Sequence, residues 1–278
     1  MNGNLIKAEF RKVMSTRLWW ALLIPSAAVA FLLNLFFTLG ASVTQSISES
    51  AANVPLGYIS LSESFGFTAI FTSIFGALGM ATEYRHRSIT TTYLTGSRDG
   101  VFGAKLVVYG VFGLGYGVIT LAFATLGVVI PGDSNTLPDA GDWLLLSLIG
   151  TVIIALWAVL GVGLGGFISN PIAVVLTLPI YGVLGEALLS GFFTAIRAPQ
   201  ISNFLPVKAS TDSVTGLAAQ MFIDQLKGPS DSPNVDAIKE VLSAADLPQW
   251  WITSLVFVAY TAVFCLIGWT VSRQRNIT

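Results

Sequence analysis

ATEYRHRSITTTYLTGSRDGVFGAK, residues Ala81 to Lys105, is a polar and basic interruption between two long apolar segments. It opens on the cluster Glu83, Arg85, His86 and Arg87. It then runs through Ser88 to Leu94, the length of a short helix, and closes with a turn at Gly96, Ser97, Arg98, Asp99 and Gly100. Lys105 opens the next hydrophobic run. Basic loops between membrane spans stay in the cytosol, so the stretch reads as a cytosolic element. It is either a solvated loop whose cations set topology or a contact surface for another protein.

The composition around it is that of a membrane protein. Of 278 residues, 54% are hydrophobic and only 10% charged, and the mean hydropathy is +0.75; a soluble domain carries roughly 25% charged residues. The net charge of −1 gives no sign of a nucleic-acid partner. The single cysteine, Cys265, lies in an apolar run and reads as a small core residue.

Residues 1–18 carry Lys7, Arg11, Lys12 and Arg17 against one acid, Glu9. As a helix this leader places Phe10, Val13, Met14 and Leu18 on one broad face, suited to lying along the inner leaflet; a frayed polar leader is the alternative. Six apolar runs follow, each near the ~20 residues that cross a bilayer: 19–40, 58–82, 102–130, 143–168, 172–193 and 250–271. Ala41 to Gly57 reads as a short external loop, as does the acidic Pro131 to Asp142. Gly113 and Gly117 form a small-xxx-small face for close helix packing. Residues 194–249 form a long polar external segment, with short helices expected at Val214 to Leu226 and Asn234 to Ala245.

The cations test this topology. Lys7, Arg11, Lys12, Arg17, Arg85, Arg87, Arg98, Lys105, Arg273 and Arg275 fall inside, and Arg197, Lys208, Lys227 and Lys239 outside. That is the positive-inside bias, and it puts both termini in the cytosol. The expected fold is therefore an all-α polytopic membrane protein, a single transmembrane domain over 1–278.

Motifs for chemistry are missing. No GxxxxGK precedes a Ser or Thr, so the chain has no P-loop of its own. Gly161 to Gly166 fits GxGxxG by letter but ends an apolar span with no strand before it, which points to glycine packing. His86 is the only histidine and Cys265 the only cysteine, which argues against a His/Cys metal centre or a Cys/His nucleophile. Two acids lie within spans, and carboxylates there face a bundle interior, a cavity or the interface. Glu63 is interfacial or on a transport path. Glu186, in the neighbourhood of Pro179, Tyr181, Gly182 and Gly185, is a polar group on such a path at a kinked or loosened helix, or a structural hydrogen-bonded acid.

The layout resembles the transmembrane subunit of bacterial type-2 ATP-binding-cassette (ABC) exporters, and Glu83-Tyr84-Arg85 through Arg98 and Lys105 is the part most similar to that family. The resemblance implies an N-terminal elbow helix and a cytosolic coupling helix within 83–101. It implies pairing with a second permease subunit, identical or related, and binding of two ABC ATPase subunits. ATP and Mg would sit on those ATPases, with no cofactor or catalysis on this chain, and the location would be the bacterial plasma membrane. By the same resemblance Glu83, Tyr84, Arg85, Arg87, Ile89, Thr90 and Leu94 couple to the ATPase and Arg98 and Lys105 anchor the loop. Glu186, Pro179, Tyr181 and Glu63 are the candidates for a transport path or outer gate. The alternatives are an ion-coupled secondary transporter using Glu63 and Glu186, or a non-transporting sensor or immunity subunit.

Overall fold

The computed structural model of the chain describes residues 3–47, 57–131, 139–226 and 248–275. Among them there is no strand. Six helical segments are long and apolar enough to cross a membrane: α2 (Leu18–Ile47), α3 (Gly57–Arg85), α5 (Arg98–Val129), α6 (Ala140–Ile168), the α7–α8 segment (Pro171–Ala195) and α10 (Trp250–Gln274). The protein thus has the architecture of a multi-pass membrane protein. Three further α-helices, α1 (Gly3–Ser15), α4 (Ser88–Thr95) and α9 (Pro206–Leu226), and a 3-10 helix at Pro199–Phe204 complete the described residues. The leader is helical, as its amphipathic pattern predicts.

α3 is the centre of the bundle. It packs on α6 most extensively and also on α2, α5, α7 and α9. Its own sequence explains this: Ser60, Ser62, Ser64, Thr68, Thr72, Ser73, Gly76 and Ala77 are buried, so the least apolar of the six segments is the most enclosed. Lipid cannot hydrogen-bond these hydroxyls, whereas neighbouring helices and the helix's own carbonyls can. Thr68 meets Thr120 at 2.9 Å and Asn34 Nδ2 donates to Ser64 Oγ at 2.7 Å. On α6, a Cβ at Gly161 or Gly165 would stand 2.2 Å from a carbonyl oxygen of α3, so only glycine permits this approach. Gly113 and Gly117 of α5 do the same against Ala155 and Thr151.

Helix boundaries shift by a few residues, with α5 starting at Arg98 within the expected turn, and two differences are larger. α2 continues through Ala41–Ile47, where a loop was expected, because falling hydropathy marks the edge of the bilayer while an established helix propagates until a breaker stops it. α9 begins at Pro206, eight residues before the expected start, and it does not stand apart from the bundle. It packs against α10, α3 and α6 with most of its residues buried. The expected helix at 234–245 lies outside the described residues.

The fifth apolar segment is broken. Pro179 cannot donate to the helix ladder, and directly after it the helix widens into a π turn, Tyr181–Gly185. Here the Glu186 amide donates to the Tyr181 carbonyl, one residue further back than in an α-helix. This is the loosening that Pro179, Gly182 and Gly185 suggest.

Candidate functional site: the basic end and the groove beside α3

At the end of the bundle that carries α1 and α4, four charged side chains from three helices form one cluster. Lys105 of α5 is 0% exposed, and its ammonium donates to Glu9 of α1, to Glu83 of α3, and to the Gly79 carbonyl at 3.2 Å. Lys12 of α1 pairs with Glu83 from the solvent side. Two acids balance two ammonium groups, which is the condition for holding such charges away from water. The second Glu83 oxygen, Oε2, has no hydrogen-bond partner. Glu83 and Lys105 are therefore inside the framework and clamp α1, α3 and α5 together.

α4 sits on this clamp. Arg87, in a left-handed conformation (φ 54°), turns the chain out of α3 into α4, and Thr90 Oγ1 donates to its carbonyl at 2.6 Å. Ile89 is buried as the anchor of the helix, while Leu94 is 88% exposed and Arg85, His86 and Arg87 are exposed beside it. Leu94 is the most exposed large hydrophobic side chain among the described residues.

The far side of α4 is tied to the end of α10. Tyr93 and Ser272 hydroxyls meet at 2.9 Å. Arg98 donates to the carbonyls of Arg273 and Arg275 and lies over the Tyr93 ring. Asp99 accepts from the Trp269 indole at 2.9 Å and pairs with Arg273 at 3.3 Å. Tyr84 is half-buried with the Arg275 guanidinium over its ring. Of the two residues expected to anchor the loop, Lys105 lies buried in the charge cluster and Arg98 bonds the backbone of residues 273 and 275.

Glu186 is hydrogen-bonded as a structural acid, one of the two alternatives its position left open. Its Oε1 accepts from the Val207 amide at 2.6 Å and its Oε2 from the Lys208 amide at 2.9 Å. These are free N–H groups of the first turn of α9, so the carboxylate caps that helix from another segment, where its charge also suits the helix dipole. Tyr181 hydrogen-bonds the same carboxylate. One turn on, Asp212 is buried and its Oδ2 has no hydrogen-bond partner. Burial raises the Asp212 carboxyl to about 6, and nearby Glu186 adds to this, while Lys208 opposes it.

Beside α3 lies a groove of about 270 Å³, walled by α3, α6, α7, the π turn and α9. Glu63, half-buried, lines it together with Pro179, Gly182, Trp157, Phe65 and Val214. Glu63 and Pro179 are thus brought to one cavity, whereas Glu186 and Tyr181 belong to the capping of α9.

Sequence reading missed Glu9 and Lys12 as members of the charge cluster. The available signal was that Glu9 is the single acid in a basic leader and recurs on the face of Val13. It also missed that Ser272 and the backbone of residues 273–275 fasten the loop, for which no local pattern exists. Among the described residues no group of three or more His, Cys, Asp or Glu is placed to hold a metal ion. No protein-family model matches the chain, and no curated protein matches it significantly.

Proposed function

We propose that the chain is the membrane-spanning permease subunit of an ABC exporter, moving a substrate outward with energy from ATP hydrolysed by separate ATPase subunits. The observation that carries this reading is the mounting of α4. A short helix with a bare Leu94 packs on α3 and α5, close in sequence to Glu83, whose buried cluster grips α1. A push on α4 then reaches three helices at once, with little give, because separating paired charges there is costly. In this reading α4 is the cytosolic coupling helix, α1 is an elbow at the inner leaflet, and both termini are cytosolic. A second permease subunit covers the apolar outer faces of the bundle or lipid does.

A carrier driven by ion binding at Glu186 has less support, since both carboxylate oxygens are occupied by the amides of Val207 and Lys208. The test is affinity purification of the tagged chain from its host in mild detergent. A stoichiometric P-loop ATPase that is lost on Leu94→Asp supports the exporter. Recovery of the chain alone, with no nucleotide hydrolysis, overturns it.

A further inference from the structure

The groove beside α3 combines three properties that together specify a ligand class. First, its walls are apolar and aromatic, with Phe65, Trp157 and Val214 inside. Phe67, Ile70 and Val183 at its margin are exposed on the outer surface of the bundle, so it is reached from the apolar surroundings. Second, it holds one carboxylate, Glu63, with no hydrogen bond or ion pair to it among the described residues, and no cationic side chain lines the groove. Third, three of its four hydroxyls are already committed as donors, Thr211 being the exception. Ser62 donates to the Ile59 carbonyl at 2.8 Å, Ser73 to Ile70 at 2.8 Å and Ser210 to Val207 at 2.7 Å.

Those serines present only lone pairs to the groove, beside a negative charge. A carboxylate in an apolar setting wants a charged donor, and an aromatic wall adds attraction for a cation that passes over its face. An anion would meet Glu63 with no cationic side chain to compensate it, and a neutral hydrocarbon would leave it desolvated without a partner. We infer that this groove binds an amphiphilic organic cation, its protonated or quaternary nitrogen at Glu63 and its apolar body between α3 and the π turn. A cavity of about 270 Å³ is at the small end for ligand sites, which suits two or three fused rings. This names the class of cargo for the exporter proposed above and rests on that reading.

The test uses the full chain in nanodiscs of phosphatidylcholine, without ATPase, and ethidium as the probe, read by fluorescence anisotropy against empty discs. The wild-type chain is expected to bind ethidium, and Glu63→Gln to weaken binding about tenfold or more, the loss of one charge-assisted contact. Glu63→Asp should restore most of it. Gly182→Leu, whose added Cβ has only Val207 within reach at 3.7 Å, should fill the groove and abolish binding with Glu63 still present. The uncharged parent 6-phenylphenanthridine should compete poorly. Equal binding by Glu63→Gln, equal competition by the uncharged parent, or no binding to the wild-type chain would each overturn the proposal. Because no ATPase is present, ethidium binding by a chain that purifies without an ATPase leaves this site standing and removes only the exporter reading.

Discussion

Lys105 and Glu83 lie 22 residues apart on different helices, yet the fully buried ammonium of one rests on the carboxylate of the other. With Glu9 and Lys12 they make the joint on which α4 is carried. Removing one member of a buried pair leaves its partner charged and dry. Lys105→Met should therefore lower stability by about 3 to 5 kcal/mol, measured as a fall in the melting temperature in detergent. Adding Glu9→Gln to Lys105→Met should recover part of the loss.

Leu94 separates structural from functional effects at the same end of the bundle. It is bare, so Leu94→Asp should change stability by less than about 0.5 kcal/mol while abolishing ATPase co-purification. Glu83→Ala should instead lower both, because it dismantles the joint. Equal melting losses for the two variants would contradict the placement of α4.

Glu186 should behave as a cap. Glu186→Ala removes both acceptors from the start of α9 and should cost about 2 kcal/mol, seen as faster hydrogen exchange at Val207 and Lys208. Glu186→Gln retains one acceptor and should lie between. If Glu186→Gln stopped transport with exchange in α9 unchanged, an ion-binding role would be the better account.

Asp212 predicts a pH dependence with a definite sign. Its carboxyl is raised from 3.8 to about 6 in the folded protein, so the fold prefers the protonated form. The ionisation penalty is absent below about pH 4, grows between pH 4 and 6, and is constant above. Stability from this group should then fall by about 3 kcal/mol across that window, at about 1.4 kcal/mol per unit. Asp212→Asn should flatten the profile in a melting series from pH 4 to 8.

Much of the fold was legible because membrane crossing is written in composition. Each of the six apolar runs became a helix starting within four residues of its expected first position. Ser88–Thr95 forms the short helix that the loop pattern indicates, and Gly113, Gly117, Gly161 and Gly165 pack as small residues. What escaped was set by partners distant in sequence. Nothing near Glu186 indicates that it caps a helix twenty residues away. Nothing in the polar run Ser210-Thr211-Asp212-Ser213 says that α9 will be enclosed by α3, α6 and α10, since its burial is set by packing on those distant helices, with Ser213 bonded to Thr253 at 3.2 Å. The ions of the joint were legible as charges, and Glu9 as the odd acid, but their pairing depends on where three helices converge.

The order of the joint's members along the chain bears on biogenesis. Glu9 and Glu83 both precede Lys105 in the sequence, so both acids have left the ribosome when the lysine emerges. Lys105 enters the bilayer edge as the second half of a hairpin whose first half already carries its counter-ion. A lone ammonium resists insertion by about 2.5 to 3.5 kcal/mol at the bilayer centre and by less near its edge. With the acids waiting, α5 can be placed beside α3 as a neutralised segment, and the contact of Lys105 with Glu9 ties the leader helix to that pair.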